Sequence, residues 1–132
     1  MILGVGVDLV DISRMERVLC SRWAQRFVER VFSREEAAVC RAMPHPVQGF
    51  AARFAAKEAV AKALGTGFSR GVTPRSIHVV GTERTRPAIQ LIDAAFEQAE
   101  ALRAGTIHVS LSHTPTTACA LAVVEMKSDP VS

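Results

Sequence analysis

The chain opens on an almost continuous apolar run whose alternation predicts a buried strand from Ile2 to Val10. Side chains alternate across a strand, so one face carries Gly4, Gly6 and Asp8 and the other carries Val5, Val7 and Leu9. Glycine inside a strand marks a place where backbone or ligand approaches closely. A carboxylate in such a run needs a partner, a hydrogen-bond network or a metal.

A long amphipathic segment follows. Ser13-Arg14-Met15-Glu16 has the pattern of a capping box and predicts a helix from about Arg14 to about Arg30. The 3.6-residue period puts on its inward stripe Met15, Leu19, Trp23 and Phe27. The opposite side carries five arginines, of which Arg14, Arg17, Arg22 and Arg26 are candidates for binding a partner. A solvated face is the simpler interpretation, but the excess of positive charge suits an acidic partner.

Two further helices are predicted before the middle of the chain. Ser33 to Glu36 forms a second capping-box pattern and opens a short helix through about Ala42. After two prolines, a long helix is predicted from about Val47 to a left-handed cap at Gly65. Glu58 and Lys62 lie one turn apart on this helix, where a solvated ion pair is the simpler interpretation.

The second half of the chain alternates between strand and helix patterns. Strands are predicted at 77–80 and 88–91 around a turn at 81–86, a helix at 93–103, and a hairpin of strands at 107–113 and 118–124. The order β-α-α-α-β-β-α-β-β predicts an α+β fold with helices packed on a mostly antiparallel sheet. We expect one domain over residues 1–126 and a polar tail over 127–132.

Composition narrows the class of protein. A chain of 132 residues suits one domain with a real core. The net charge of +3 identifies no partner, and the absence of tyrosine argues against an aromatic platform for single-stranded nucleic acid. No apolar run is long enough for a membrane span or has the basic leader of a signal peptide. Cys20, Cys40 and Cys119 lack metal-ligand spacing, so we expect reduced core thiols in a cytoplasmic protein.

Three features call for a common chemistry: Asp8, the Glu58–Lys62 pair, and the polar segment 110–114 at a strand end. Two carboxylates without a cysteine or histidine cluster suit a hard cation such as Mg²⁺. A lysine beside hydroxyl or imidazole donors suits phosphate oxygens. The glycine-rich loop at 65–73 lacks Walker spacing, which excludes a P-loop NTPase. The residues by themselves lead to a Mg²⁺–phosphate site and no further.

Four segments resemble one known family. They are Gly4-Val-Gly-Val-Asp8-Leu-Val-Asp-Ile-Ser-Arg14, Phe32-Ser-Arg-Glu35, Phe54-Ala-Ala-Lys57-Glu58-Ala-Val-Ala-Lys62-Ala-Leu-Gly65 and Ser110-Leu-Ser112-His113. In this order and spacing, they resemble the holo-[acyl-carrier-protein] synthases, the short single-domain class of 4′-phosphopantetheinyl transferases. The resemblance spans nearly the whole chain.

The resemblance implies an enzyme of fatty acid biosynthesis. It would transfer 4′-phosphopantetheine from coenzyme A to a serine of an acidic apo acyl carrier protein and release adenosine 3′,5′-bisphosphate. It places Mg²⁺ on Asp8 and Glu58 and gives Lys62 a catalytic, phosphate-binding role. It assigns to coenzyme A Arg53, Lys62, Gly65, Pro87, Ser112, His113 and Thr114. It assigns to the carrier protein Arg14 and the helix that follows. It also implies a homotrimer with active sites between subunits.

Several alternatives stay open at this point. The general base is either Glu58 or a metal-bound water, and Mn²⁺ could replace Mg²⁺. Thr85-Arg86-Pro87 stands where the family usually has Gly-Lys-Pro, which leaves the turn conformation open. A non-catalytic basic module that binds nucleic acid or coenzyme A would also explain the arginines, although it would not explain Asp8. We expect no nucleic-acid and no membrane partner.

Overall fold

The computed structural model describes residues 1–82 and 84–129. Its elements follow the order β1 (Ile2–Asp11), α1 (Ile12–Leu19), α2 (Ala24–Val31), α3 (Arg34–Arg41), α4 (Pro46–Ala63), a 3-10 helix (Pro74–Ser76), β2 (Ile77–Val80), β3 (Ala88–Leu91), α5 (Asp93–Ala101), β4 (Ala104–His113) and β5 (Thr117–Met126). The predicted α+β class is confirmed. None of these helices is long and apolar enough to cross a membrane.

All strand pairs in the described chain are antiparallel. A three-stranded sheet has the order β1-β5-β4, and β2 pairs with β3 in a separate two-stranded sheet. One apolar cluster lies between the larger sheet, α4 and α5. A second cluster joins α1, α2 and α3 to the first half of α4. Helix α4 belongs to both clusters and is therefore the central element of the fold.

Helix α4 lies unusually close to β1. A Cβ atom added to Gly4 would lie 1.9 Å from the Ala63 carbonyl oxygen, and one added to Gly6 would lie 1.9 Å from the Ala59 carbonyl oxygen. The predicted faces of β1 are confirmed, since Gly4 and Gly6 face the helix while Val5, Val7 and Leu9 are exposed. The strand glycines therefore allow backbone, not ligand, to come close.

The predicted helix over residues 14–30 is wrong, because two helices replace it. Asp11, not Ser13, caps α1: its carboxylate accepts from the Ser13 backbone N–H at 3.0 Å. The first helix ends at Leu19, where the Ser21 hydroxyl donates to the Val18 carbonyl at 2.7 Å and accepts from the Trp23 N–H at 3.2 Å. A serine that bonds local backbone competes with helical hydrogen bonds. Trp23, expected in the core, is consequently 53% exposed.

The second capping box is confirmed. Ser33 and Glu36 exchange side-chain-to-backbone hydrogen bonds at the start of α3. Glu36 also forms a buried salt bridge of 2.8 Å with Lys57, whose ammonium group donates to the backbone carbonyls of Pro74 and Ile77. Burial lowers the pKa of Lys57, and the Glu36 charge opposes that effect. These bonds tie α3, α4 and β2 together.

The expectation for the cysteines changes. Only Cys40 of the three thiols is buried, while Cys20 is exposed and Cys119 half-buried, so they are not all core residues. In the tail, Lys127 bonds Glu100 at 2.7 Å and Asp129 bonds Arg103 at 2.9 Å, so this part of it is attached to the domain. Residues 130–132 of the tail, and residue 83 of the predicted turn, lie outside the described residues.

Candidate active site

The close packing of α4 on β1 aligns two carboxylates. Gly4 faces Ala63 and Gly6 faces Ala59, so the chains run in opposite directions and each two-residue step along β1 matches about one turn of α4. Asp8, two residues after Gly6, accordingly meets the turn that carries Glu58. Both carboxylates line one groove of about 300 Å³ between β1, α1 and α4.

Lys62 reaches the same place from the next turn of α4. Its ammonium group donates to Asp8 Oδ1 at 2.9 Å and to the Val7 carbonyl at 3.2 Å. The hydrogen bond to Asp8 raises the pKa of Lys62. The bonded partner of Lys62 is therefore Asp8, which is 54 residues away in sequence, and not Glu58 on its own helix.

The two carboxylates share a region of negative charge. Burial, then the proximity of the Asp8 carboxylate, raise the pKa of Glu58 to about 7, while Lys62 and Arg14 oppose the rise. The second oxygen of Asp8, Oδ2, is buried and has no hydrogen-bond partner. A divalent cation would relieve both features, since it supplies positive charge and takes carboxylate oxygens as ligands.

The two carboxylates suit a hard cation that takes its remaining ligands from groups outside the protein. The described residues contain no cluster of three or more histidine, cysteine or acidic side chains that could enclose a metal. Mg²⁺ is usually bound through one or two carboxylates, with substrate phosphates and waters completing its shell. Asp8 and Glu58 match that requirement, so these two residues could hold the ion.

A second, basic pocket of about 410 Å³ opens between α4, the 81–87 loop and β4. Its lining includes the positive or ionisable side chains His45, Arg53, Arg86 and His113. None of its described lining residues is acidic. Such a lining suits an anionic ligand, and phosphate in particular.

Arg53 is the strongest indication of what this pocket takes. It is only 5% exposed, and its side chain donates to the Gly81 carbonyl at 3.3 Å while its Nε has no partner. No salt bridge joins it to any carboxylate in the described chain. A buried guanidinium without a counter-ion is costly unless an anion binds to it.

The structure brings together some of the residues assigned to coenzyme A but not all of them. Arg53, Pro87 and His113 line the basic pocket. Gly65 follows the far end of α4 with a φ of +83°, and Lys62 lies with Asp8. The Thr114 hydroxyl accepts from Thr116 and Thr117 in the hairpin turn. Ser112 pairs with Cys119 on β5. Within one chain, the basic pocket is therefore not lined by Lys62, Gly65, Ser112 or Thr114.

Sequence reasoning missed several pocket residues. His45, Gln48 and Gly49 stand at the start of α4, and Thr82 stands in the loop opposite. The sequence alone assigns His45 no role, because the loop and strand β4 that line the pocket with it come much later in the chain. A histidine just before the helix-starting Pro46 was the only local signal.

The arginines assigned to a partner occupy different positions. Arg14 lines the groove of Asp8 and Glu58. Arg22 and Arg26 lie against the Trp23 ring, with guanidinium carbons 4.5 and 5.7 Å from its centroid. The Arg17 charge helps to lower the pKa of Asp11, a smaller effect than the Ser13 hydrogen bonds. The helix break thus divides the expected common flank into two parts.

Comparison with known families agrees with this arrangement. The model of the 4′-phosphopantetheinyl transferase superfamily matches residues 4–121. A holo-[acyl-carrier-protein] synthase of Desulfovibrio desulfuricans is 45% identical, over 95% of this chain and 98% of the relative. Another, from Methylobacterium radiotolerans, is 46% identical, over 95% of this chain and 94% of the relative.

Solved structures show the same similarity. The crystal structure of holo-[acyl-carrier-protein] synthase from Neisseria meningitidis superposes with a TM-score of 0.85 at 33% identity, covering 95% of this chain and 99% of the other. The Helicobacter pylori synthase, solved in complex with coenzyme A, superposes with a TM-score of 0.79 at 29% identity, covering 92% and 99%.

Proposed function

The chain belongs to the 4′-phosphopantetheinyl transferase superfamily, and on this premise we propose that it is a holo-[acyl-carrier-protein] synthase. It transfers the 4′-phosphopantetheine group of coenzyme A to a serine of apo acyl carrier protein and releases adenosine 3′,5′-bisphosphate. The observation that carries the proposal is the placement of two sites on one helix. Helix α4 presents Arg53 to the basic pocket and, five residues later, Glu58 to Asp8.

The basic pocket is the proposed binding site for the nucleotide end of coenzyme A. Arg53 supplies a buried charge held in place by the Gly81 carbonyl, and Arg86, His45 and His113 add charge or donors at the rim. Pro87 offers a flat apolar surface in the same wall. The Helicobacter pylori relative was solved with coenzyme A, which supports the same ligand here. Thr85-Arg86-Pro87 keeps the charge of the family turn.

Asp8 and Glu58 are the proposed ligands of Mg²⁺. When bound, the ion would neutralise the diphosphate and polarise the phosphorus that the serine attacks. Lys62 is held at this place by Asp8 and the Val7 carbonyl, and it is half-exposed, so its ammonium group can also meet a phosphate oxygen. The chain's own contribution is therefore to hold charges in position around the reacting phosphate.

Carrier-protein recognition is assigned to the arginines of α1, α2 and the break between them. Arg14 stands at the groove that contains the carboxylates, so it can contact a partner whose serine enters that groove. Arg22 and Arg26 extend the positive surface away from it. Positive charge of this kind would steer an acidic partner and hold it in register.

We also propose a homotrimer with active sites between subunits. The three-stranded sheet has an uncovered outer face, where Val5, Val7, Leu9 and Leu121 are between 43% and 67% exposed. A second copy of the chain would remove this apolar patch from water. It would also complete a ligand site for which Gly65, Ser112 and Thr114 lie outside the pocket of a single chain.

We propose that the protein acts in the cytoplasm. Its three cysteines are free thiols, as is usual for proteins of this reducing compartment.

One experiment tests the central proposal. An apo acyl carrier protein is incubated with the protein, coenzyme A and Mg²⁺, and its intact mass is measured over time. We expect a gain equal to one phosphopantetheine group and no gain in EDTA. An unchanged mass together with salt-dependent RNA binding would instead support a non-catalytic basic module.

A further inference from the structure

A further concave surface, the helix groove, lies apart from both halves of the proposed active site. It has a volume of about 780 Å³ and is bounded by the end of α1, by α2 and α3, by the start of α4 and by the 3-10 helix. Its described lining shares no residue with the basic pocket or with the groove of Asp8 and Glu58. The described lining also contains no residue of the three-stranded sheet, so the helix groove lies outside the proposed trimer interface. Its size is within the range of small-molecule sites, about 300–1,000 Å³.

The floor of the helix groove is apolar and rigid. Phe32 and Phe50 are almost fully buried, and their rings pack edge to face with centroids 5.0 Å apart. Val28 and Ala37 are buried beside them, and Val47 is partly buried against the same cluster. Because this cluster joins α1, α2 and α3 to α4, packing holds the floor in shape. An aliphatic chain laid on the floor would remove apolar surface from water.

Positive charge is concentrated along the same groove. Its lining includes Arg34 and Arg41 from α3 and Arg75 from the 3-10 helix. Arg75 is held in place, since its Nη1 donates to the Glu29 backbone carbonyl at 2.7 Å. None of these arginines forms a salt bridge in the part of the chain that the structure describes. Glu29 is the one acidic side chain in the described lining, and its carboxylate accepts from Gln25.

We propose that the helix groove binds an amphipathic anion, a free aliphatic carboxylate whose chain lies on the apolar floor and whose head group pairs with the arginines. A guanidinium group matches the planar carboxylate with two parallel hydrogen bonds. A small polar anion would leave the floor in contact with water, and a neutral chain would leave the arginines unpaired. The concave shape suits one molecule between helices, whereas a membrane surface is bound by apolar side chains that project from a helix face.

This inference goes beyond the proposed function and does not depend on it. The helix groove contains none of the residues assigned to the metal, to coenzyme A or to the carrier protein. Its test therefore measures binding and stability, not transfer, and an inactive protein would leave it standing.

Decanoate is the probe for this site. Isothermal titration calorimetry of the wild-type protein, below the concentration at which decanoate forms micelles, should show one decanoate bound per chain. The Tm should rise with decanoate concentration, because the ligand binds the folded state. Acetate, which has the head group without the chain, and decanol, which has the chain without the charge, should each bind at least about 10-fold more weakly. Equal binding of decanoate and decanol would overturn the proposal, as would binding to phosphatidylglycerol vesicles without saturable binding of decanoate.

Substitutions locate the binding in the helix groove. Arg41→Glu, at an exposed position, should weaken decanoate binding at least about 10-fold, because a repelling charge replaces a pairing one. Ala24→Phe should weaken it similarly, since the larger side chain fills space at the half-buried wall of the groove. Arg103→Glu makes the same change in net charge at an exposed position outside the groove and should stay within about 2-fold of wild type. Equal weakening by Arg41→Glu and Arg103→Glu, or wild-type binding by Ala24→Phe with normal circular dichroism, would contradict the proposal.

Discussion

Asp8 and Glu58 are the residues on which the proposed chemistry depends, and their charges are compensated to different degrees. Asp8 is bonded to Lys62 through one oxygen, while its other oxygen is buried without a partner. Glu58 has a raised pKa because it is half-buried next to Asp8. We infer that the two carboxylates are positioned to bind a cation, and that their negative charge is incompletely compensated without one.

Removing either carboxylate should therefore impair transfer more than folding. Asp8→Asn or Glu58→Gln should lower the transfer rate by about 100-fold or more, because a charge-stabilising group is lost. Both variants should stay folded, since the amide side chains keep the size of the carboxyl groups and can still accept hydrogen bonds. Intact-mass rates at limiting Mg²⁺ measure the effect, with Glu100→Gln, which breaks an exposed pair, as the control. Near wild-type rates would remove these residues from the metal site.

Glu58 should also make the stability of the metal-free protein depend on pH. Its pKa rises from 4.5 to about 7 on folding, so the folded protein binds the proton more tightly than the unfolded one. The resulting stabilisation is fully present below about pH 4.5 and is lost as the pH rises through about 7. In EDTA, the Tm of wild type relative to Glu58→Gln should fall between about pH 5 and pH 8.

Mg²⁺ gives the matching control for this pH effect. Because the ion competes with the proton on Glu58, it should raise the Tm of wild type more at about pH 8 than at about pH 5. It should not do so for Glu58→Gln. Parallel Tm curves for the two proteins, with and without Mg²⁺, would show that Glu58 does not titrate in this range.

At the scale of elements, the contact between β1 and α4 sets the position of the site. Gly6→Ala should destabilise the protein by at least about 3 kcal/mol, since the new methyl group would meet the Ala59 carbonyl oxygen and neither backbone can easily yield. Gly65→Ala is the comparison: its Cβ meets nothing within 4 Å, but its φ of +83° costs about 1–2 kcal/mol. Urea unfolding at one protein concentration gives both values. A larger loss of stability in Gly65→Ala than in Gly6→Ala would mean that the close contact between β1 and α4 is not required.

The arginines of α1, α2 and the break between them form the second element-scale feature. Arg14→Glu with Arg22→Glu should raise the KM for carrier protein at least about 10-fold, because charge-assisted contacts are worth about 1.5–3 kcal/mol each. The KM for coenzyme A should barely change, since the basic pocket lies elsewhere on α4. Arg103→Glu with Lys127→Glu makes the same change in net charge at two exposed positions near the C-terminus. If both double variants raised the KM for carrier protein equally, the effect would come from net charge alone and not from the position of these arginines.

At the scale of the whole molecule, the outer sheet face decides assembly. Light scattering should give three times the chain mass for wild type, and Leu121→Asp should give a monomer, because a charge then replaces an apolar side chain at the interface. Transfer should fall with the trimer if active sites lie between subunits. Phe96→Asp, at a similarly exposed position on α5, should remain trimeric. A fully active wild-type monomer at assay concentration would contradict this proposal.

The sequence by itself determined the features that depend on local hydrogen bonds and periodicity. The alternation in β1 placed Gly4, Gly6 and Asp8 on one face, and the Ser33–Glu36 pattern located the start of α3. The proline before α4 and the glycine after it bounded that helix within a residue or two. These signals lie within a few residues of the structure they specify, so they can be read without knowing the fold.

Only the tertiary structure decided which distant groups meet. Lys62 bonds Asp8 because α4 crosses β1 at two glycines, and Arg53 faces a pocket made by a loop and a strand that follow it in the chain. Trp23 fitted the apolar period of a long helix, yet the Ser21 hydrogen bonds end that helix and expose the ring. Periodicity shows which residues could share a face. Packing and competing hydrogen bonds decide whether that face exists and what lies against it.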